Sequence, residues 1–72
     1  MGKNKRLIGY RKMAGFSQDD MAKFTCMDRT TYFRKENGKA SFTDLEMKSI
    51  YDVLSINLKQ VIPELKITDI FF

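Results

Sequence analysis

Arg29, Thr30 and Arg34 carry the most specific chemistry in this chain of 72 residues. A guanidinium can donate two parallel hydrogen bonds to a guanine edge, and a threonine can bond a base edge or touch a thymine methyl. On one helix the three would share an outward side with Phe33. That is the chemistry of recognition, not of catalysis. The chain has no histidine, so its single cysteine, Cys26, lacks the partner that activates a thiolate nucleophile. Asp19 and Asp20 are adjacent, and a helix points them to different sides instead of pairing them as acid and base. No glycine-rich phosphate loop occurs. One cysteine without histidine also excludes an internal disulfide and leaves no zinc site. The expectation is a non-enzyme without cofactor or metal.

Elements of a particular kind must hold these residues in place. Phe16-Ser17-Gln18-Asp19-Asp20-Met21-Ala22-Lys23-Phe24 reads as a capped helix. The Ser17 hydroxyl caps it, and Asp20 three residues on makes a variant capping box. Met21, Ala22 and Phe24 form its apolar face, with Phe16 placed as a hydrophobic staple. The Asp19-Asp20 pair suits the positive end of the helix dipole. Thr25-Cys26-Met27 makes a turn. Asp28 then caps a helix from Arg29 to about Glu36, which Asn37-Gly38 ends, and Tyr32 is its inward residue. Helix, tight turn and helix in this order build a helix-turn-helix, whose second helix is shaped to enter a DNA major groove.

The flanking sequence supplies the support. A first helix is expected over Lys3 to Ala14, with Gly15 as its left-handed cap and Leu7, Tyr10 and Ala14 on one face. Gly9 in its middle costs roughly 1 kcal/mol relative to alanine. After a loop from Lys39 to Phe42, Thr43-Asp44-Leu45-Glu46 is a full capping box. It opens a fourth helix through Leu54, with Met47, Ile50, Val53 and Leu54 inward. Asn57-Leu58-Lys59-Gln60 repeats the signal for a short fifth helix, stopped by Pro63. The tail, apolar at Leu65, Ile67, Ile70, Phe71 and Phe72, reads as a strand or an extended arm packed on the core, because exposed Phe71-Phe72 would invite aggregation. The expected fold is all-α: five helices and a short extended C-terminal tail. It is one domain over residues 1–72, with the core in 3–62 and the tail in 63–72.

The net charge of +4 is unevenly spread. Residues 1–39 hold ten Lys/Arg against four Asp/Glu, whereas residues 40–72 hold three against five. A basic half that coincides with the helix-turn-helix is the footprint of phosphate contact. So small a core also gains from association, which points to a homodimer as one option. Leu7-Ile8 is followed by Gly9-Tyr10-Arg11, so no signal-peptide apolar region forms, and no apolar run approaches membrane-spanning length. The expected location is cytoplasmic, with no membrane partner.

Arg11, Gly15, Ser17-Gln18, Met21-Ala22, Arg29, Thr31, Arg34, Glu36-Asn37-Gly38-Lys39, Ile50 and Leu54 together resemble the Cro/repressor-type helix-turn-helix family, also called XRE. The resemblance spans roughly residues 5–62 and implies a five-helix, all-α regulator. It implies that Gln18 contacts the DNA backbone, that Arg29 and Thr30 read bases with Arg34 one turn later, and that Lys39 meets a phosphate. It also implies a structural pair between Arg11 and Glu36. As a whole the chain is similar to the modulators of repression of temperate lactococcal phages. That similarity implies a lytic/lysogenic switch in which the protein works with, or against, a cognate repressor.

Four positions depart from the family pattern. Cys26 stands where glycine is usual in the turn, so a side chain must accept strain there. Asp28 replaces a serine or threonine cap and puts a carboxylate where phosphates approach. Lys35 replaces an apolar residue and leaves a lighter anchor. Phe33 replaces a small or polar residue on the outward side. Three readings of Phe33 stand: a rotated helix in which Phe33 packs and Tyr32 is exposed, a thymine-methyl contact, or an aromatic anchor in a protein interface. The last is preferred, because an exposed aromatic between arginines resembles an interface hot spot. The expected function is therefore binding of the cognate repressor through Gln18, Asp28, Arg29, Thr30, Phe33, Arg34 and Lys39. The alternative is Cro-like operator DNA binding as a dimer.

Overall fold

Residues 4–71, described by the computed structural model, form five helices, with no strand among them. They are α1 (Lys5–Ala14), α2 (Gln18–Phe24), α3 (Arg29–Glu36), α4 (Asp44–Asn57) and α5 (Ile67–Phe71). Lys3, the expected first residue of α1, and Phe72 lie outside the described residues.

Local sequence explains where most of these helices begin. Ser17 caps α2 with both bonds of the box in place: its Oγ accepts from Asp20 N–H at 3.1 Å, and Asp20 Oδ2 accepts from Ser17 N–H at 2.9 Å. Thr43 and Glu46 do the same for α4, at 3.2 and 2.9 Å. Asp28 occupies the cap position of α3, but its side chain accepts no cap hydrogen bond. The capping expected of that carboxylate is absent, leaving it exposed to solvent.

Three helix ends share one device. Beyond α1, Gly15 N–H donates to Lys12 O and Phe16 N–H to Arg11 O; beyond α3, Gly38 and Lys39 donate to Lys35 O and Arg34 O. These are Schellman endings, and they need a left-handed residue, here Gly15 and Gly38, both at φ +81°. Beyond α2 the same pair of bonds runs from Cys26 to Lys23 O and from Met27 to Ala22 O. Cys26 therefore sits at φ +57°, a conformation in which its Cβ crowds the backbone.

The buried core takes Leu7 from α1, Met21 and Ala22 from α2, Tyr32 from α3, Ile50 and Leu54 from α4, and Leu58, Leu65 and Ile70 from beyond it. Each large apolar side chain so buried contributes roughly 1.5–3 kcal/mol. Of the four inward residues expected on α4, Ile50 and Leu54 are buried, while Met47 and Val53 are partly so.

The C-terminal third departs from expectation in two places. No helix begins at Asn57. Nothing in Ser55-Ile56 breaks α4, so it runs on to Asn57, whose side-chain amide donates back to Val53 O at 2.8 Å. Leu58 then opens a tight turn that accepts from Val61 and Ile62 N–H. The tail is not extended either: Ile67–Phe71 is α5, packed against α1 and α4. Ile67, Ile70 and Phe71 recur at helical spacing, and Asp69 Oδ2 reaches back to Lys66 N–H at 2.9 Å, as an acid in a first helical turn does. Packing of the tail on the core holds for Leu65 and Ile70, which are buried. Phe71 meets Phe42, which in turn meets Tyr32, with ring centroids 5.7 and 5.8 Å apart.

Because Cys26 is the one left-handed non-glycine residue described, Cys26→Gly relieves its strain and should stabilise the fold by about 1 kcal/mol. A rise in the urea midpoint at unchanged slope is the expected result. A fall would mean that the thiol contributes more than its backbone costs.

Candidate recognition surface of the third helix

One buried carboxylate sets how α3 is turned. Glu36 is 1% exposed, and four hydrogen bonds converge on it. Arg11 grips it with two nitrogens, Nε to Oε2 at 2.9 Å and Nη2 to Oε1 at 3.2 Å. Tyr32 OH donates to Oε2 at 2.6 Å, and Gln18 Nε2 to Oε1 at 3.1 Å. The remaining Arg11 nitrogen, Nη1, donates to Phe16 O at 3.0 Å, fixing the link from α1 to α2. Burial first, and then the adjacent Glu36 carboxylate, push the Tyr32 hydroxyl far above its ordinary value, so it remains a donor.

Tyr32 and Glu36 are one turn apart, so pinning them inward turns the opposite side of α3 to solvent. Arg29, Thr30, Phe33 and Arg34 are all exposed there. Phe33 keeps 44% of its surface accessible while Tyr32 has none, so the rotated helix is excluded. Lys39 follows at the end of the helix, also exposed.

The remaining members of the expected set are differently placed. Gln18 is half-buried, and the amide nitrogen expected to face a DNA phosphate donates to Glu36 instead. Arg29 has an ion partner that spacing alone does not show. Its Nε lies 3.7 Å from Asp19 Oδ1, with both side chains more than half exposed. Arg34 and Lys39 have no ion pair among the described residues.

Lys35 is not the light anchor expected. Its Nζ donates to both Glu46 oxygens, at 2.7 and 2.9 Å, and ties α3 to the start of α4. The C-terminal end of α3 is held from the other side by Asn4, whose N–H donates to Glu36 O and whose side-chain amide donates to Lys35 O, each at 2.9 Å. A long-range pair eleven residues apart and a side chain clamping carbonyls leave no periodic trace in sequence. Away from this surface, Arg6, Gly9, Tyr10, Met13 and Asp69 line an open cavity of about 510 Å³ between α1 and α5.

Two consequences can be measured. Removing Arg11 leaves the Glu36 charge buried and unpaired, so Arg11→Ala should cost about 3–5 kcal/mol. That is comparable with the whole stability expected of so small a domain. Loss of most helical circular dichroism at 25 °C is the expected result, whereas a near-native melt would remove the network from its central place.

The second consequence concerns acid. Partial burial raises the Glu46 carboxyl, but the bonds from Lys35 and Thr43 outweigh it and hold the group below its ordinary value. The Asp20 carboxyl is also lowered, chiefly by Ser17 N–H. Depressed folded-state values mean that this stability is complete above the ordinary carboxylate range and is lost as pH falls through the lowered values. Lys35→Met should therefore flatten the fall in stability between roughly pH 5 and pH 3. Urea midpoints across that range test it, and an unchanged slope would assign the acid sensitivity elsewhere.

A family model for the helix-turn-helix matches residues 7–60, from the first turn of α1 past the end of α4. No curated protein and no solved structure matches the chain. Among the described residues no helix is long and apolar enough to cross a membrane. The matched segment holds the capped α2, the turn at Cys26 and the outward face of α3 as one unit, and on this ground the chain belongs to the XRE-type helix-turn-helix family of DNA-binding transcription regulators.

Proposed function

We propose that this protein is a phage transcription regulator of the lytic/lysogenic switch, and that it acts by docking its helix-turn-helix surface onto the cognate repressor. The observation that carries this reading is Phe33, a large aromatic left 44% exposed on α3 beside Arg34. A DNA-reading helix can use such a ring against a thymine methyl, whereas a protein interface uses an aromatic flanked by arginines as an anchor. The neighbouring charges support it. Asp28 presents a carboxylate that caps nothing, Arg29 lies 3.7 Å from Asp19, and the Gln18 amide is turned inward.

The alternative is operator binding by a dimer that places α3 of each copy in successive major grooves. Thr30, Arg34 and Lys39 favour it, being exposed, with Arg34 and Lys39 unpaired among the described residues. Arg34 would then donate to a guanine, with Lys39 on a phosphate.

Phe33→Ala separates the two readings. It removes an exposed ring, so the fold should keep its melting temperature. The docking reading expects at least a tenfold loss of affinity for the cognate repressor, about 1.4 kcal/mol or more. Mass photometry and titration of the mixed proteins would measure it. Retention of repressor binding by Phe33→Ala, together with sequence-selective operator binding that Arg34→Ala abolishes, would establish the alternative.

A further inference from the structure

The outward face of α3 is polarised along its length. At its N-terminal end stand Asp28 and, from α2, Asp19; at its C-terminal end stand Arg34 and Lys39, with Phe33 between them. Neither carboxylate at the first end is used up by the fold. Asp28 has the extended backbone of a cap residue, at φ −78° and ψ 161°, yet its side chain accepts no N–H from α3. Asp19 takes no part in the capping box, which Asp20 completes. Its oxygen lies 3.7 Å from Arg29 Nε, with 56% of the Asp19 side chain and 68% of the Arg29 side chain exposed.

Arg29 is the first residue of α3 and the cation nearest that end. Asp19 lies 3.7 Å from it, and Asp28 precedes it in the chain as an exposed carboxylate, so two negative charges share with one positive charge the end where a groove-bound helix would meet phosphates. A phosphate approaching Arg29 must displace Asp19 and tolerate Asp28, and each like-charge contact weakens the sequence-independent part of DNA binding.

We infer that Asp19 is a specificity-determining residue of this surface: it holds Arg29 and, with Asp28, turns the N-terminal end of α3 against phosphate and toward lysine and arginine side chains of a protein partner. A repressor whose own DNA-reading face is basic offers such side chains, and Arg34 and Lys39 at the far end fix the direction in which it docks. The partner half of this assignment rests on the docking reading above. The phosphate half does not.

The test uses the full chain and two probes. The first is a mixed-sequence duplex of roughly 20 base pairs followed by fluorescence anisotropy at several salt concentrations. Asp19→Asn/Asp28→Asn should bind this duplex at least about fivefold more tightly than the natural chain, with a salt dependence steeper by about one phosphate contact. Adding Arg29→Ala to that variant should cancel the gain. Asp19→Glu, which keeps the charge, should leave duplex binding as it was. Circular dichroism and thermal melts confirm that each variant is folded.

A gain below fivefold, or one that survives Arg29→Ala, overturns the phosphate half. The second probe is the purified cognate repressor. The doubly substituted protein should lose at least about tenfold in affinity for it, and unchanged affinity overturns the partner half. If the natural chain does not bind the repressor at all, the docking reading fails while the duplex measurements still decide the role of Asp19.

Discussion

Everything on the outside of this domain depends on how Glu36 is satisfied inside it. A carboxylate with almost no exposure costs several kcal/mol to desolvate, and only good geometry from several donors offsets that cost. Here the donors come from three helices: Arg11 on α1, Gln18 on α2 and Tyr32 on α3 itself. No one of these helices can rotate or slide without breaking a bond to the same two oxygens. The exposure of Phe33 follows from this. Once Tyr32 and Glu36 are held inward, Phe33 and Arg34 face solvent, whatever their hydrophobicity.

The connectors complete the constraint. The Schellman endings after α1, α2 and α3 set the direction in which the chain leaves each helix. The middle one tolerates a cysteine at φ +57°, although the two flanking ones use glycine. A strained residue persists when its surroundings over-determine it, and here Met27 N–H and Thr25 Oγ1 bond back to α2 on either side of Cys26, while the Glu36 bonds tie α2 to α3 from outside the turn.

What could be read in the sequence was whatever is encoded over three or four residues. Ser17 with Asp20, Thr43 with Glu46, Gly15, Gly38 and the inward Tyr32 are local signals, and the helices they delimit stand where those signals place them. The C-terminal third was not legible for the same reason. Asn57 looks like a helix start but serves the end of α4, a choice made by the unbroken sequence ahead of it. The α5 helix has five residues and lacks a serine or threonine cap, so its helical form depends on packing against α1 and α4. On α3, residue types anticipated which side chains are exposed. The Asp19–Arg29, Lys35–Glu46 and Asn4–α3 contacts bring together separate stretches of chain, and no spacing rule announces them.

Charge counting shows most clearly why sequence and surface diverge. Ten cations against four anions in residues 1–39 describe a phosphate-seeking half. Yet Arg11 is buried on Glu36, Lys35 is taken by Glu46 from the other half, and Arg29 is shared with Asp19. The cations drawn into pairs include two of those on α3 itself, Arg29 and Lys35, which leaves Arg34 as the cation of that helix without an ion pair among the described residues. The residues that build the scaffold, Arg11, Gln18, Tyr32 and Glu36, are also separate from those that face outward, Asp19, Asp28, Arg29 and Phe33. A chain can therefore keep every interaction that makes the helix-turn-helix while changing the few side chains that decide what it meets. Family membership fixes the frame of this surface, whereas its exposed charges and its one ring lie outside that frame.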